Sequence, residues 1–222
     1  MIFFHFQVIV AGSHFFGFFI CCLTTSVAYH EIHKPNLREG RAVEKRAVRR
    51  IAIMIGSLSD LPQCIKGLQY LKTLADSGVV EVVEIIVNSI HRNTDDVIFN
   101  LKRLEQRVDV LIVGAGWANH LTGMADAILR YKMGNDHVVV VGVAFDDEND
   151  RAHTQAACLS ITEVPGHQVR FRGYVGTDGF LSACEFAAKG KLPEIKLPEA
   201  KRVEYFQLDE AIAFYNNVIA KS

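Results

Sequence analysis

The sequence predicts an α/β domain built on a parallel sheet of about five strands in a flavodoxin-like order. Three observations carry that expectation. Residues 51–55, IAIMI, form an unbroken apolar run of the kind buried on both faces of a sheet. From residue 50 onward such runs alternate with segments of helical period. Alternation at this spacing implies parallel strands joined by right-handed crossovers. The first three runs each end in a polar or glycine-bearing loop, and open α/β sheets bind ligands at the carboxyl ends of their strands.

The first strand stops at Gly56 and opens into Ser57, Ser59 and Asp60. A Ser/Asp cluster ahead of Pro62 and a periodic segment is a helix start. Its free backbone N–H groups and the positive end of the helix make a ready phosphate site. The helix runs from Pro62 to about Ala75, with Ile65, Leu68, Leu71 and Leu74 on one side. Gly78 ends it. Residues 79–87 form the second strand, which leaves through NSIHRNT. Thr94, Asp95 and Asp96 begin a second helix carrying Val97, Ile98, Leu101 and Leu104. Residues 108–113 form a third strand, leaving through Gly114, Ala115, Gly116 and Trp117. A third helix covers about 119–132, and MGND breaks it. Residues 138–143 are the fourth strand, 144–153 an acidic loop, and 153–159 a short helix. Residues 169–172 are the fifth strand and 177–189 the fifth helix. Residues 191–222 begin as a Pro-punctuated linker. A helix over 208–219 follows, and its apolar face (Leu208, Ala211, Ile212, Tyr215, Ile219) implies burial. No internal repeat interrupts this series.

Composition narrows the function. The 222 residues carry 24 basic and 25 acidic side chains, a formal net charge of −1, which gives no electrostatic footprint for nucleic acid. The five cysteines, Cys21, Cys22, Cys64, Cys158 and Cys184, are odd in number and contain no CxxC pair. We read the last three as reduced residues of a cytoplasmic protein rather than a disulfide framework. Residues 1–29 are Phe-rich and lack Lys, Arg, Asp and Glu, and a basic stretch follows to residue 50. Such a run is long enough to span a bilayer, which takes about 20 apolar residues. His5, Gln7, Ser13 and His14 interrupt it, and no basic residue precedes it as in a secretory signal. We therefore read residues 1–49 as an extension outside the fold, translated from upstream of the true start, and not as a membrane anchor. The main domain is expected over residues 50–190.

Three strand exits carry the polar chemistry. In a parallel sheet they fall on one edge and can converge. Arg92 can hold a phosphate through a bidentate fork. Asp60 can accept from ribose hydroxyls or cap a helix. Imidazole titrates near pH 6.5, so His91 is suited to passing a proton at neutral pH. Gly114 and Gly116 allow close backbone approach to a ligand. Taken singly, each residue has a plainer use: Ser57, Ser59 and Asp60 as caps, His91 and Arg92 as solvated loop residues, His120 as a cap or core residue. GAGW is not the dinucleotide GxGxxG fingerprint, and no GxxxxGK[ST] loop is present. The DDEND run at 146–150, near His153, lacks EF-hand spacing and reads as a solvated loop rather than a metal site.

The three loops taken together, GSLSD, SIHR and GAGWANHLTGM in this order, resemble one family. It is the 5-(carboxyamino)imidazole ribonucleotide mutase family, the catalytic subunit of phosphoribosylaminoimidazole carboxylase. Its pattern reads GSxSD, SAHRTP and GAGGAAHLPGM. The resemblance covers about residues 50–190. It implies a three-layer α/β/α fold, a homo-octamer, a small-molecule ribonucleotide substrate, and a reaction without cofactor or metal. It implies His91 as the general acid/base. Ser57, Ser59, Asp60, Ser89 and Arg92 match the nucleotide-binding positions. Gly114, Ala115, Gly116 and His120 match the second half of the pocket. It also implies that the C-terminal helix packs on a neighbouring subunit.

Departures from the pattern cluster around the pocket. Ile90 replaces Ala, Asn93 and Thr94 replace Thr-Pro, Trp117 replaces Gly, Asn119 replaces Ala, and Thr122 replaces Pro. Residues 144–157 are acidic where the family is small and neutral. The retained Ser57, Asp60, His91, Arg92 and His120 favour carboxyl transfer on an aminoimidazole ribonucleotide. Trp117 favours a non-catalytic nucleotide-binding protein on the same fold, and a related carboxylase acting on another aromatic mononucleotide stands between the two.

Overall fold

The computed structural model describes residues 48–219, and the expectations for residues 1–47 lie outside them. Strand β1 (Arg49–Ile55) is central, and residues 51–55 are fully buried because both of its faces are covered. It pairs in parallel with β2 (Val80–Val87) on one side and β3 (Val110–Ala115) on the other. Strand β4 (Val139–Ala144) lies outside β3, giving the order β2-β1-β3-β4.

Alternation along β1 sorts its side chains between two cores. Ile51, Ile53 and Ile55 face α1 (Leu61–Asp76) and α5 (Gly176–Lys189), where Cys64, Leu71, Phe180 and Cys184 complete the packing. Ala52 and Met54 face α2 (Thr94–Leu104) and α3 (His120–Ala127), against Val97, Leu101, Leu104 and Leu121. The result is the three-layer α/β/α arrangement with the flavodoxin-like strand order. A π-helical turn, Ile128–Lys132, continues α3, and α4 (Arg151–Thr162) packs beside β4 through Ala157 and Ile161. Cys64, Cys158 and Cys184 are free thiols. Burial pushes the Cys64 thiol up to about 12, which keeps it unreactive.

One expectation changes. The fifth strand is reduced to isolated parallel bridges, Val141 to Arg170 and Ala144 to Val175. Between them the outer segment carries more residues than β4 does, and Gly173 turns at φ 67. A ladder cannot stay in register across that excess. The helix expected at the C-terminus is present as α6 (Leu208–Ile219), and residues 208–218 are exposed, so none of the described residues buries its apolar pattern. Among the described residues, no helix is long and apolar enough to cross a membrane.

Candidate functional site

The strand order reverses between β1 and β3, so the loops leaving them diverge and open a crevice at the carboxyl edge. A cavity of about 540 Å³ occupies it, large enough for a mononucleotide. Ser57, Ser59, Asp60, Ser89, His91, Arg92, Ala115, Gly116 and His120 all line it. Gly114 does not. It lies inside β3, where an added Cβ would come within 2.8 Å of the Phe145 ring, so its missing side chain serves packing rather than ligand approach. Trp117, Ala118, Ile90 and Leu121 also line the cavity.

Each loop is shaped by its own bonds. After β1, the Ser57 hydroxyl accepts from the Ser59 N–H at 3.3 Å and from the Ser59 hydroxyl at 2.8 Å. Ser57 thus caps the short 3-10 turn Leu58–Asp60 that leads into α1. Asp60 makes no side-chain cap. Its carboxylate lies beside Gly116 of the third loop, and the backbone N–H groups of Ser57 and Gly116 favour its charged form. Burial pushes this carboxyl up to about 6, against the opposing pull of those two N–H donors. After β2, the Ser89 carbonyl accepts from Arg92 N–H at 3.2 Å and Asn93 N–H at 2.8 Å. This tight turn leaves His91 and Arg92 exposed at the cavity.

The third loop begins α3 with a buried cap. Asn119 Oδ1 accepts from Thr122 N–H at 3.1 Å, and Asn119 Nδ2 donates to the Val143 carbonyl at 2.8 Å. The departures at 119 and 122 are therefore coupled. A proline at 122 has no N–H to satisfy, whereas threonine does, and Asn119 satisfies it. The cap sets His120 at the first turn of α3, where its Nδ1 lies 3.0 Å from His91 Nε2. The rings meet edge to face with centroids 5.0 Å apart. At that distance one ring donates and the other accepts, so a single proton is shared between them. A second, more apolar cavity of about 450 Å³ adjoins the pair, lined by Ile90, Met124, Ala127 and Val164 as well as both histidines.

The acidic loop after β4 is ordered by its own contacts. His153 Nδ1 lies 2.8 Å from Asp147 Oδ2, and the imidazole stacks on Trp117 with centroids 4.2 Å apart. Reading the sequence does not find this contact, because the two rings come from different strand exits far apart in the chain. Among the described residues, no group of three or more His, Cys, Asp or Glu side chains stands together as a metal site.

The model of the AIR carboxylase family matches residues 50–170, from β1 to the bridge at Arg170. The chain is 32% identical over 118 residues to the N5-carboxyaminoimidazole ribonucleotide mutase of Thermotoga maritima. That match takes in 53% of this chain and 61% of the length of the relative. Among solved structures, the crystal structure of Treponema denticola PurE is similar at 20% identity with a TM-score of 0.44, covering 63% of this chain and 87% of that one. The family model takes in more than half of the chain and all three loops of the cavity, and the chain belongs to the AIR carboxylase family.

Proposed function

We propose that the protein transfers a carboxyl group on an aminoimidazole ribonucleotide, converting 5-carboxyaminoimidazole ribonucleotide to 4-carboxy-5-aminoimidazole ribonucleotide in purine biosynthesis. The observation that carries this is the convergence of Ser57, Asp60, His91, Arg92 and His120 on one cavity in a member of this family. The relative named as a mutase supports the same reaction.

In this reading Arg92 and the Ser57 hydroxyl, whose own proton is free to donate, take the phosphate, and Asp60 takes the ribose hydroxyls. Ser89, Ala115 and Gly116 supply the remaining polar wall. The carbamate N–C bond breaks, carbon dioxide leaves, and its electron pair stays on the exocyclic nitrogen, which takes a proton from His91. Carbon 4 of the ring then attacks the trapped carbon dioxide, and His91 removes the proton from carbon 4 to restore aromaticity. Protons given and taken balance, so no cofactor or metal enters the scheme. His120, 3.0 Å away, holds the second ring nitrogen of the shared proton pair and keeps His91 oriented. The protein acts in the cytoplasm as a homo-oligomer, an octamer by the family resemblance.

A carbon 4 carboxylation assay tests this. The full chain is offered either 5-carboxyaminoimidazole ribonucleotide or aminoimidazole ribonucleotide with bicarbonate. Product from the first alone gives a mutase, and product from the second alone gives a carboxylase (a lyase). Binding without product from either would leave a nucleotide-binding protein on this fold.

A further inference from the structure

One cavity residue is held in a conformation that its type rarely adopts. Trp117 is the single non-glycine residue with positive φ among the described residues, at φ 55. Bulky side chains are outliers there, and such outliers collect at ligand sites where the surroundings over-determine them. The surroundings here do so. The indole stacks on the His153 imidazole at 4.2 Å and 15°. Asp147 holds His153 from behind at 2.8 Å. The loop carrying Asp147 is tied in turn. Asp147 N–H donates to the Thr154 hydroxyl, which donates to Asp146 Oδ1 at 2.7 Å. Gln63 of α1 exchanges two bonds of 2.9 Å with the backbone of Asp146. Three elements therefore fix one aromatic ring.

That ring is not core. Trp117 is 66% exposed and lines the cavity with Asp60, His91, Arg92 and His120. His153 covers one indole face, which leaves the other to the cavity and solvent. A packing role would bury the indole, and this one stays exposed at the cavity wall. We propose that Trp117, backed by His153, is a specificity-determining stacking platform for the planar heteroaromatic ring of the ribonucleotide. This rests on the reading that the cavity holds such a nucleotide. Stacking on an aromatic side chain is tolerant of ring identity and strengthens binding by roughly 5- to 150-fold per base. It discriminates a ring-bearing ligand from the bare sugar phosphate, which the loop residues bind regardless.

Trp117 is the only tryptophan of the chain, so its fluorescence reports on the platform directly. The full chain is titrated with 5-aminoimidazole ribonucleotide and with ribose 5-phosphate, following fluorescence and calorimetry. Both ligands should bind, and only the first should change the indole emission. Trp117→Gly should weaken the ring-bearing ligand at least ~5-fold and ribose 5-phosphate less than ~2-fold. It should melt no lower than the parent, since glycine accepts the positive φ. Trp117→Phe should keep most of the difference between the two ligands. His153→Ala should lose part of it and His153→Phe restore it, which separates positioning of the ring from general stability. Equal losses for both ligands in Trp117→Gly, or unchanged emission on binding the ring, would overturn the platform while leaving the nucleotide reading intact. If the parent protein binds neither ligand, the nucleotide reading falls and the platform with it.

Discussion

At the scale of single residues, the cavity mixes groups that cap with groups that are strained for use. The Ser57 hydroxyl is engaged by Ser59, as a capping residue would be. Asp60 is different, because burial holds its carboxyl near 6 beside a solvent-accessible cavity. The folded protein thus binds this proton more tightly than the unfolded chain, whose carboxyl titrates near 3.8. Its contribution to stability is fully present below about 3.8 and is lost as pH rises through 6. Asp60→Asn should therefore be more stable than the parent near pH 7.5, by about 1–2 kcal/mol after allowance for solvent screening. The gain should vanish near pH 3.5, as read from urea melts at the two pH values. The same variant should bind ribonucleotide less tightly. A loss of stability at pH 7.5 would make Asp60 a structural bridge between loops. His91 is tested by turnover. His91→Asn should keep nucleotide binding and lower turnover by at least ~100-fold, the least that a positioned acid/base contributes. Near-normal turnover would remove it from the proton path.

At the scale of elements, the buried start of α3 places His120, and its cap can be taken apart. Asn119→Ala would leave the buried Thr122 N–H without its acceptor, a loss of about 1–3 kcal/mol. Proline is tolerated in the first turn of a helix, where the N–H has no intrahelical acceptor. Adding Thr122→Pro to Asn119→Ala should therefore recover about 1 kcal/mol by denaturant unfolding, and a strictly additive cycle would break the link. This coupling shows what a sequence can reveal and what it withholds. The strands were legible because runs such as IAIMI leave no polar face to solvent, and the three loops were legible because parallel strands must deliver them to one edge. Asn119 and Thr122 read only as two separate departures, because the β4 carbonyl that holds the Asn119 side chain in place to cap Thr122 lies far along the chain. Gly114 read as a ligand contact, because the Phe145 ring that needs its space follows a different strand. The fifth strand failed for a related reason: its β-rich composition says nothing of the excess residues that break its register.

At the scale of the whole molecule, the described chain leaves one apolar element uncovered. Leu208, Ile212, Phe214, Tyr215 and Val218 of α6 are each more than half exposed. Phe206 packs on Phe214 at 5.5 Å, so the helix gathers apolar rings to itself instead of to the sheet. Single exposed apolar residues are ordinary, but a contiguous set on one helix marks a surface made to be covered. The α1 and α5 layer already fills the sheet face with Phe180, Cys184 and Leu71, which leaves no room there for α6. A second copy of the chain is the partner that the family resemblance implies, and a symmetric assembly would cover every α6 at once. Removing residues 201–222 should then lower the oligomeric state and turnover together, while the sheet and its cavity stay folded. Light scattering on the full-length and shortened chains, with the carbon 4 assay on each, reads both effects. If the full-length chain is a monomer that still turns over substrate, α6 is not an interface and the cavity is complete within one subunit.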